Sequence, residues 1–122
     1  MPVIDVKLSR VTRGASEIFR ILGIDLPEII AAGLTVPGDK DAELSADEIE
    51  ISFRKASEFD VGTKNLDIYV FANDYPKRSA NLQSERVPQM QKELRNRLDA
   101  AGFPELTVSL YVHLGVGGYA EF

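Results

Sequence analysis

At 122 residues and 44% hydrophobic content, the chain has the length of one compact domain, expected over 1–122, with a core of its own. It has no cysteine and a single histidine, His113, which excludes a disulfide framework, a thiol nucleophile, and thiolate or multi-histidine metal sites. Net charge is −5 and no stretch concentrates Lys and Arg, so nucleic acid is not an expected partner, although a local basic pocket for a small anion remains open. No apolar run approaches the roughly 20 residues that cross a bilayer. The start, Met1-Pro2-Val3-Ile4-Asp5, lacks the basic-then-apolar layout of a secretion signal, so the expected location is the cytoplasm and no membrane partner is implied.

Residues Val3 to Ser9 alternate, with Ile4, Val6 and Leu8 on one face and Asp5 and Lys7 on the other, which predicts a strand. Ile18, Phe19, Ile21 and Leu22 then recur at helical spacing, and Gly23 is a plausible stop. Asp25 and Glu28 resemble a capping box with Pro27 in a first turn, so the first helical region is expected to break near Gly23. Thr35 to Ala46, rich in Pro, Gly, Asp and Lys, reads as a surface loop. Its acidic residues lack the spacing and central glycine of a calcium loop. Glu48 to Arg54 alternates Ile49, Ile51 and Phe53 with polar residues and predicts a second strand.

Leu66 to Ala72 is almost continuously apolar, as in a central strand buried on both faces. A turn cluster, Asn73 to Lys77, follows. From about Ser84, the residues Val87, Met90, Leu94, Leu98 and Ala101 predict an amphipathic helix, with Pro88 in its opening turn and Gly102 and Pro104 at its end. Its Arg86, Lys92, Arg95 and Arg97, mixed with acidic residues, read as an exposed helix face. Leu106 to Leu114 alternates as a last strand, with His113 pointing outward as a structural residue, and a glycine-rich tail follows.

The order strand-helix-strand, twice, fits an α+β fold: two β-α-β halves, about 1–62 and 63–122, forming a four-stranded mixed sheet with helices on one face. A ferredoxin-like βαββαβ sandwich has the same order, and order alone does not separate them. Both halves open with an apolar strand and turn through an arginine (Thr12-Arg13-Gly14 and Lys77-Arg78-Ser79). Both close with an aliphatic residue beside glycine (Phe59-Asp60-Val61-Gly62 and Gly115-Val116-Gly117-Gly118), which favours the duplication. A sheet with helices on one face only leaves the other to be covered, most cheaply by another copy.

Pro2 is the leading chemical candidate. Removal of Met1 would expose a secondary amine, a usable general base or nucleophile whose protonated form is disfavoured by a dry pocket or nearby cations. A plain reading competes: proline begins strands, where its missing N–H is harmless.

On Pro2 before an alternating strand, Arg78-Ser79 between an apolar strand and a helix, and the two hydrophobic-Gly endings, the chain resembles the tautomerase superfamily. That group includes 4-oxalocrotonate tautomerase, 5-carboxymethyl-2-hydroxymuconate isomerase and the macrophage migration inhibitory factor (MIF) proteins. Lys77 stands where the family's turn usually has Gly, and Asp47-Glu48 where some members carry a cation. The resemblance implies a homotrimer and cofactor-independent, metal-free enol–keto isomerisation of a small 2-keto or enol carboxylate. Pro2 would be the catalytic base. Arg13, Arg54 and Arg78 would bind the substrate carboxylate in their rigid forks, and Phe59 would form an apolar wall. A non-catalytic oligomer of the same fold and a ferredoxin-like binding module are the alternatives. In the tautomerase-like arrangement the opening strands, Val3–Ser9 and Leu66–Ala72, are expected adjacent, central and parallel.

Overall fold

The computed structural model describes residues 2–8, 14–39, 42–57 and 64–115. Strands β1 (Val3–Leu8), β2 (Glu50–Lys55), β3 (Leu66–Asn73) and β4 (Val108–Gly115) form one sheet in the order β2-β1-β3-β4. Helix α1 (Ala15–Leu34) joins β1 to β2. A four-residue helix, α2 (Pro76–Ser79), a single π turn at Leu82–Arg86, and α3 (Val87–Ala100) join β3 to β4.

Alternation in the strands decides what lies on each side. Ile4, Val6 and Leu8 from β1 and Leu66, Ile68 and Val70 from β3 are buried in one core with Ile18, Leu22, Leu26 and Ile30 of α1 and Met90, Leu94 and Leu98 of α3. Helices therefore cover one face. The opposite face presents Val3, Tyr69, Phe71, Tyr111 and His113, and Phe71 and Tyr111 are 49% and 54% exposed. The continuous apolar run of β3 is thus buried on one side only within the chain, not on both. On the open side Tyr69 stacks on Tyr111 at 5.1 Å, and Phe71 meets the His113 ring at 6.2 Å.

Strand pairing separates the two candidate topologies. β1 pairs directly and in parallel with β2, and β3 with β4, so each β-α-β unit is unsplit. A ferredoxin-like sandwich splits that unit with a strand between, and this chain does not. The opening strands β1 and β3 are adjacent and central as expected, but antiparallel (Val3 opposite Phe71, Leu8 opposite Leu66). Two unsplit units related by an approximate twofold axis through the sheet must run their opening strands in opposite directions. The expected parallel pairing was an error of geometry.

Helix α1 does not break at Gly23. Its stripe, Ile18, Leu22, Leu26, Ile29, Ile30 and Leu34, continues in phase across that position and is buried throughout. Pro27 sits four residues after Gly23, so the one intrahelical bond it forfeits is the bond Gly23's carbonyl would accept. Asp25, expected as a cap, instead accepts a 2.9 Å bond from Arg97 of α3. At its start, Gly14 has φ 76°, and a Cβ there would approach the Phe103 ring at 2.9 Å, so only glycine fits.

β2 starts at Glu50 rather than Glu48, because Ala46–Glu48 form a short 3-10 turn. The Glu48 carboxylate accepts from the Ser45 amide at 3.3 Å and from its hydroxyl at 2.8 Å, the reciprocal cap of a helical start. Pro88 lies in the opening turn of α3, as the sequence requires. The last strand runs Val108–Gly115, two residues later than the alternation suggests, after Leu106 and Thr107 close the preceding turn. Among the described residues no helix is long and apolar enough to cross a membrane.

Candidate functional site

Pro2 immediately precedes β1 and is buried, its carbonyl accepting the Glu50 amide at 3.2 Å. Alternation places it on the same face as Ile4, Val6 and Leu8, beneath the helix layer. Extending the registers by one residue sets it between Ile49 and Ala72, where β3 ends. The proline ring thus occupies a dry corner at one end of the sheet.

Arg78 is buried beside the ends of α1 and β3. It is 2% exposed, and its fork is spent on three backbone carbonyls. Nε donates to Leu34 at 2.6 Å, Nη1 to Asn73 at 2.8 Å and Nη2 to Ala42 at 3.0 Å. Leu34 ends α1 and Asn73 ends β3, so one guanidinium ties the first half's helix and loop to the second half's opening strand. Its Cζ also lies 4.9 Å from the Tyr75 ring centroid. Burial holds the guanidinium below its ordinary pKa; Arg86 adds to that pull, while Tyr75, Asp39 and Asp74 oppose it. An arginine so engaged has little left to offer a carboxylate. Its partners give it a structural task.

Arg54 is elsewhere. It lies opposite Lys7 in the register, five strand positions from the Pro2 level, or about 16 Å at about 3.3 Å per residue. It also points to the open face, where it is 3.5 Å from Asp5. Within one chain, Pro2 and Arg54 do not meet. Arg13 and Phe59 lie outside the described residues, as do the Phe59-Asp60-Val61-Gly62 ending and the glycine-rich tail beyond Gly115.

Two other arginines expected on a solvated helix face are also staples. Arg86 donates to the Gly33 and Thr35 carbonyls at 2.8 and 2.9 Å, capping the end of α1. Arg95 donates to Leu106 and Phe103 at 2.6 and 2.7 Å, fixing the approach to β4. Sequence spacing hid these roles because each carbonyl belongs to a segment distant in the chain or beyond a turn. The aromatic cluster of the open face was equally hidden. Tyr69 and Phe71 read as part of a strand buried on both faces and Tyr111 and His113 as outward, and only the β3–β4 register pairs them.

Comparisons with known proteins bear on the fold. No protein-family model matches the chain, and no curated protein matches it. Solved structures do. A domain of unknown function from Sebaldella termitidis is similar at 18% identity and TM-score 0.52, covering 95% of this chain and 90% of its own. Malonate semialdehyde decarboxylase is similar at 12% identity and TM-score 0.51, covering 98% of this chain and 92% of its own. A fused 4-OT asymmetric trimer is similar at 12% identity and TM-score 0.52, covering 96% of this chain and 94% of its own. With two unsplit β-α-β units, a four-stranded mixed sheet and helices on one face, this chain has the fold of the tautomerase superfamily.

Proposed function

We propose that the protein is a cofactor-independent tautomerase in which Pro2, freed of Met1, moves a proton between carbon and oxygen of a small 2-keto or enol carboxylate. The observation that carries this reading is the burial of Pro2 immediately before the central strand β1. A secondary amine held there loses the water that would favour its protonated form. Such an amine is available as a base near neutral pH. It would take the proton from the enol oxygen or the adjacent carbon and return it to the other atom, with no net loss of atoms or charge.

Carboxylate binding would need cations with free donors. Arg78 is committed and Arg54 lies at the far end on the other face of the same chain. The open face of one chain, covered by others in a homotrimer, would bring arginines such as Arg54 or Arg13 from a neighbour toward a Pro2 corner. The fused 4-OT in the comparison is itself a trimer. Phe59 would serve as the apolar wall. The lack of a free cation beside Pro2 in the described part of one chain favours a second reading, a non-catalytic oligomer built on the same fold.

The two readings differ in one assay. Pro2→Ala should reduce enol-to-keto conversion of phenylpyruvate at least about a hundredfold, the low end for losing a positioned base, while circular dichroism stays unchanged. Equal rates in the two proteins would leave the scaffold reading alone standing. Light scattering at micromolar concentration is expected to give a trimer, and a clean monomer would remove the shared-site part of the proposal.

A further inference from the structure

A groove of about 640 Å³ runs between α3 and the start of β4, within the size range of small-molecule sites. Its floor is apolar: Val87, Leu94, Leu98, Leu106, Val108 and Leu110. The reason lies in the topology. β4 is an edge strand, so its helix-facing side chains are only partly covered, and Val108 and Leu110 stay half-buried rather than enclosed. Lys64 and Lys92 stand at the rim, both exposed. Neither makes an ion pair among the described residues. Arg95, the third cation there, is occupied by Asp99 and the carbonyls of Leu106 and Phe103.

This groove is separate from the Pro2 corner. It lies at the Leu66 end of β3, six positions or about 20 Å from the Ala72 level where Pro2 sits. It also occupies the comparable place in the second half: the starts of an opening and a closing strand, roofed by the intervening helix. There the position before β3 is Asn65, locked to Thr107 by a reciprocal set of bonds at 2.9 to 3.1 Å, and it offers no basic nitrogen.

We propose that this groove binds an amphipathic monocarboxylate, with its hydrocarbon body on Val87, Leu94, Leu98, Val108 and Leu110 and its carboxylate on Lys64 and Lys92. Charge complementarity selects this class. The chain carries −5 overall and repels anions in general, so an anion held here must be held by the local lysines. Their position above an apolar floor favours a ligand with a single charged end.

Octanoate titrated into the intact protein, followed by amide chemical shifts, tests the idea against its uncharged analogue, octanol. Saturable shifts confined to α3 and β4 are expected, with octanoate binding at least about tenfold more tightly than octanol (about 1.4 kcal/mol). The double variant Lys64→Glu/Lys92→Glu, at two exposed positions, should lose that preference while still binding octanol. No saturable shift in the groove, equal binding of the two ligands, or an unchanged preference in the double variant would each overturn the proposal. So would shifts in the same residues on simple dilution, since a second copy of the chain would then occupy the groove.

Discussion

The two halves of this molecule share one plan and have spent it differently. In the first half the 20-residue α1 lies over its strands with every apolar position of its stripe buried, and Pro2 at the start of β1 is buried too. In the second half the helix proper is 14 residues, entered through a π turn, and the corresponding corner stays open as a groove. The difference shows that a β-α-β unit fixes where a pocket can form, at the strand starts beneath the helix. What fills that pocket is left to local sequence: a proline in one half, an asparagine with a lysine rim in the other.

Arg78 joins the halves through buried hydrogen bonds, so of the substitutions considered its loss should have the largest effect. Arg78→Met removes donors from three carbonyls, two of them in fully buried bonds, and should cost about 3 to 5 kcal/mol of stability by urea unfolding. Arg78→Lys, able to replace only part of the fork, should recover a fraction of that loss. A cost under about 0.5 kcal/mol, typical of a surface change, would mean that the Arg78 fork adds little to the β1–β3 pairing and helix packing that also join the halves.

Packing between the helices comes next. Gly33 of α1 faces Met90 of α3 so closely that a Cβ would collide with the methionine side chain. Gly33→Ala should therefore cost about 1 to 3 kcal/mol as α3 is displaced, and Met90→Ala in the same background should return part of it. Additive losses in that pair would place the two helices further apart than described.

The smallest effect tests whether α1 is continuous. Gly23 is exposed, and a Cβ there meets only the Phe53 ring, at an ordinary 3.8 Å. Gly23→Ala should stabilise the protein by about 0.5 to 1 kcal/mol through helix propensity. A broken helix with Gly23 as its stop would lose stability instead.

Much of this architecture is legible in the residues. The alternation of Ile4, Val6 and Leu8 and of Ile51 and Phe53 names the strands and their inner faces, and Met90, Leu94 and Leu98 name the second helix's inner stripe. The break assigned to α1 shows the limit of local signals. Gly23, Asp25 and Pro27 each argue for a stop, but a stripe in phase from Ile18 to Leu34 buries more surface than they cost. Strand direction is not carried by alternation, which is the same read forward or backward; it follows only from the geometry of two unsplit units, which sets β1 and β3 antiparallel. The site was half legible. Arg78 stands out as a turn arginine, yet its carbonyl partners Leu34 and Ala42 are 44 and 36 residues away in the chain, and no spacing rule points to them. The groove was hidden similarly, because Lys64 and Lys92 come to line one groove only when β4 takes the edge of the sheet.

Everything assigned to Pro2 as a base requires its nitrogen to be an amine rather than an amide. Intact mass, with sequencing of the first peptide, on protein purified from cells measures this directly. The account predicts a chain lighter by one methionine residue that begins at the proline. A chain that keeps Met1 in full would contradict it, whatever the geometry around the ring.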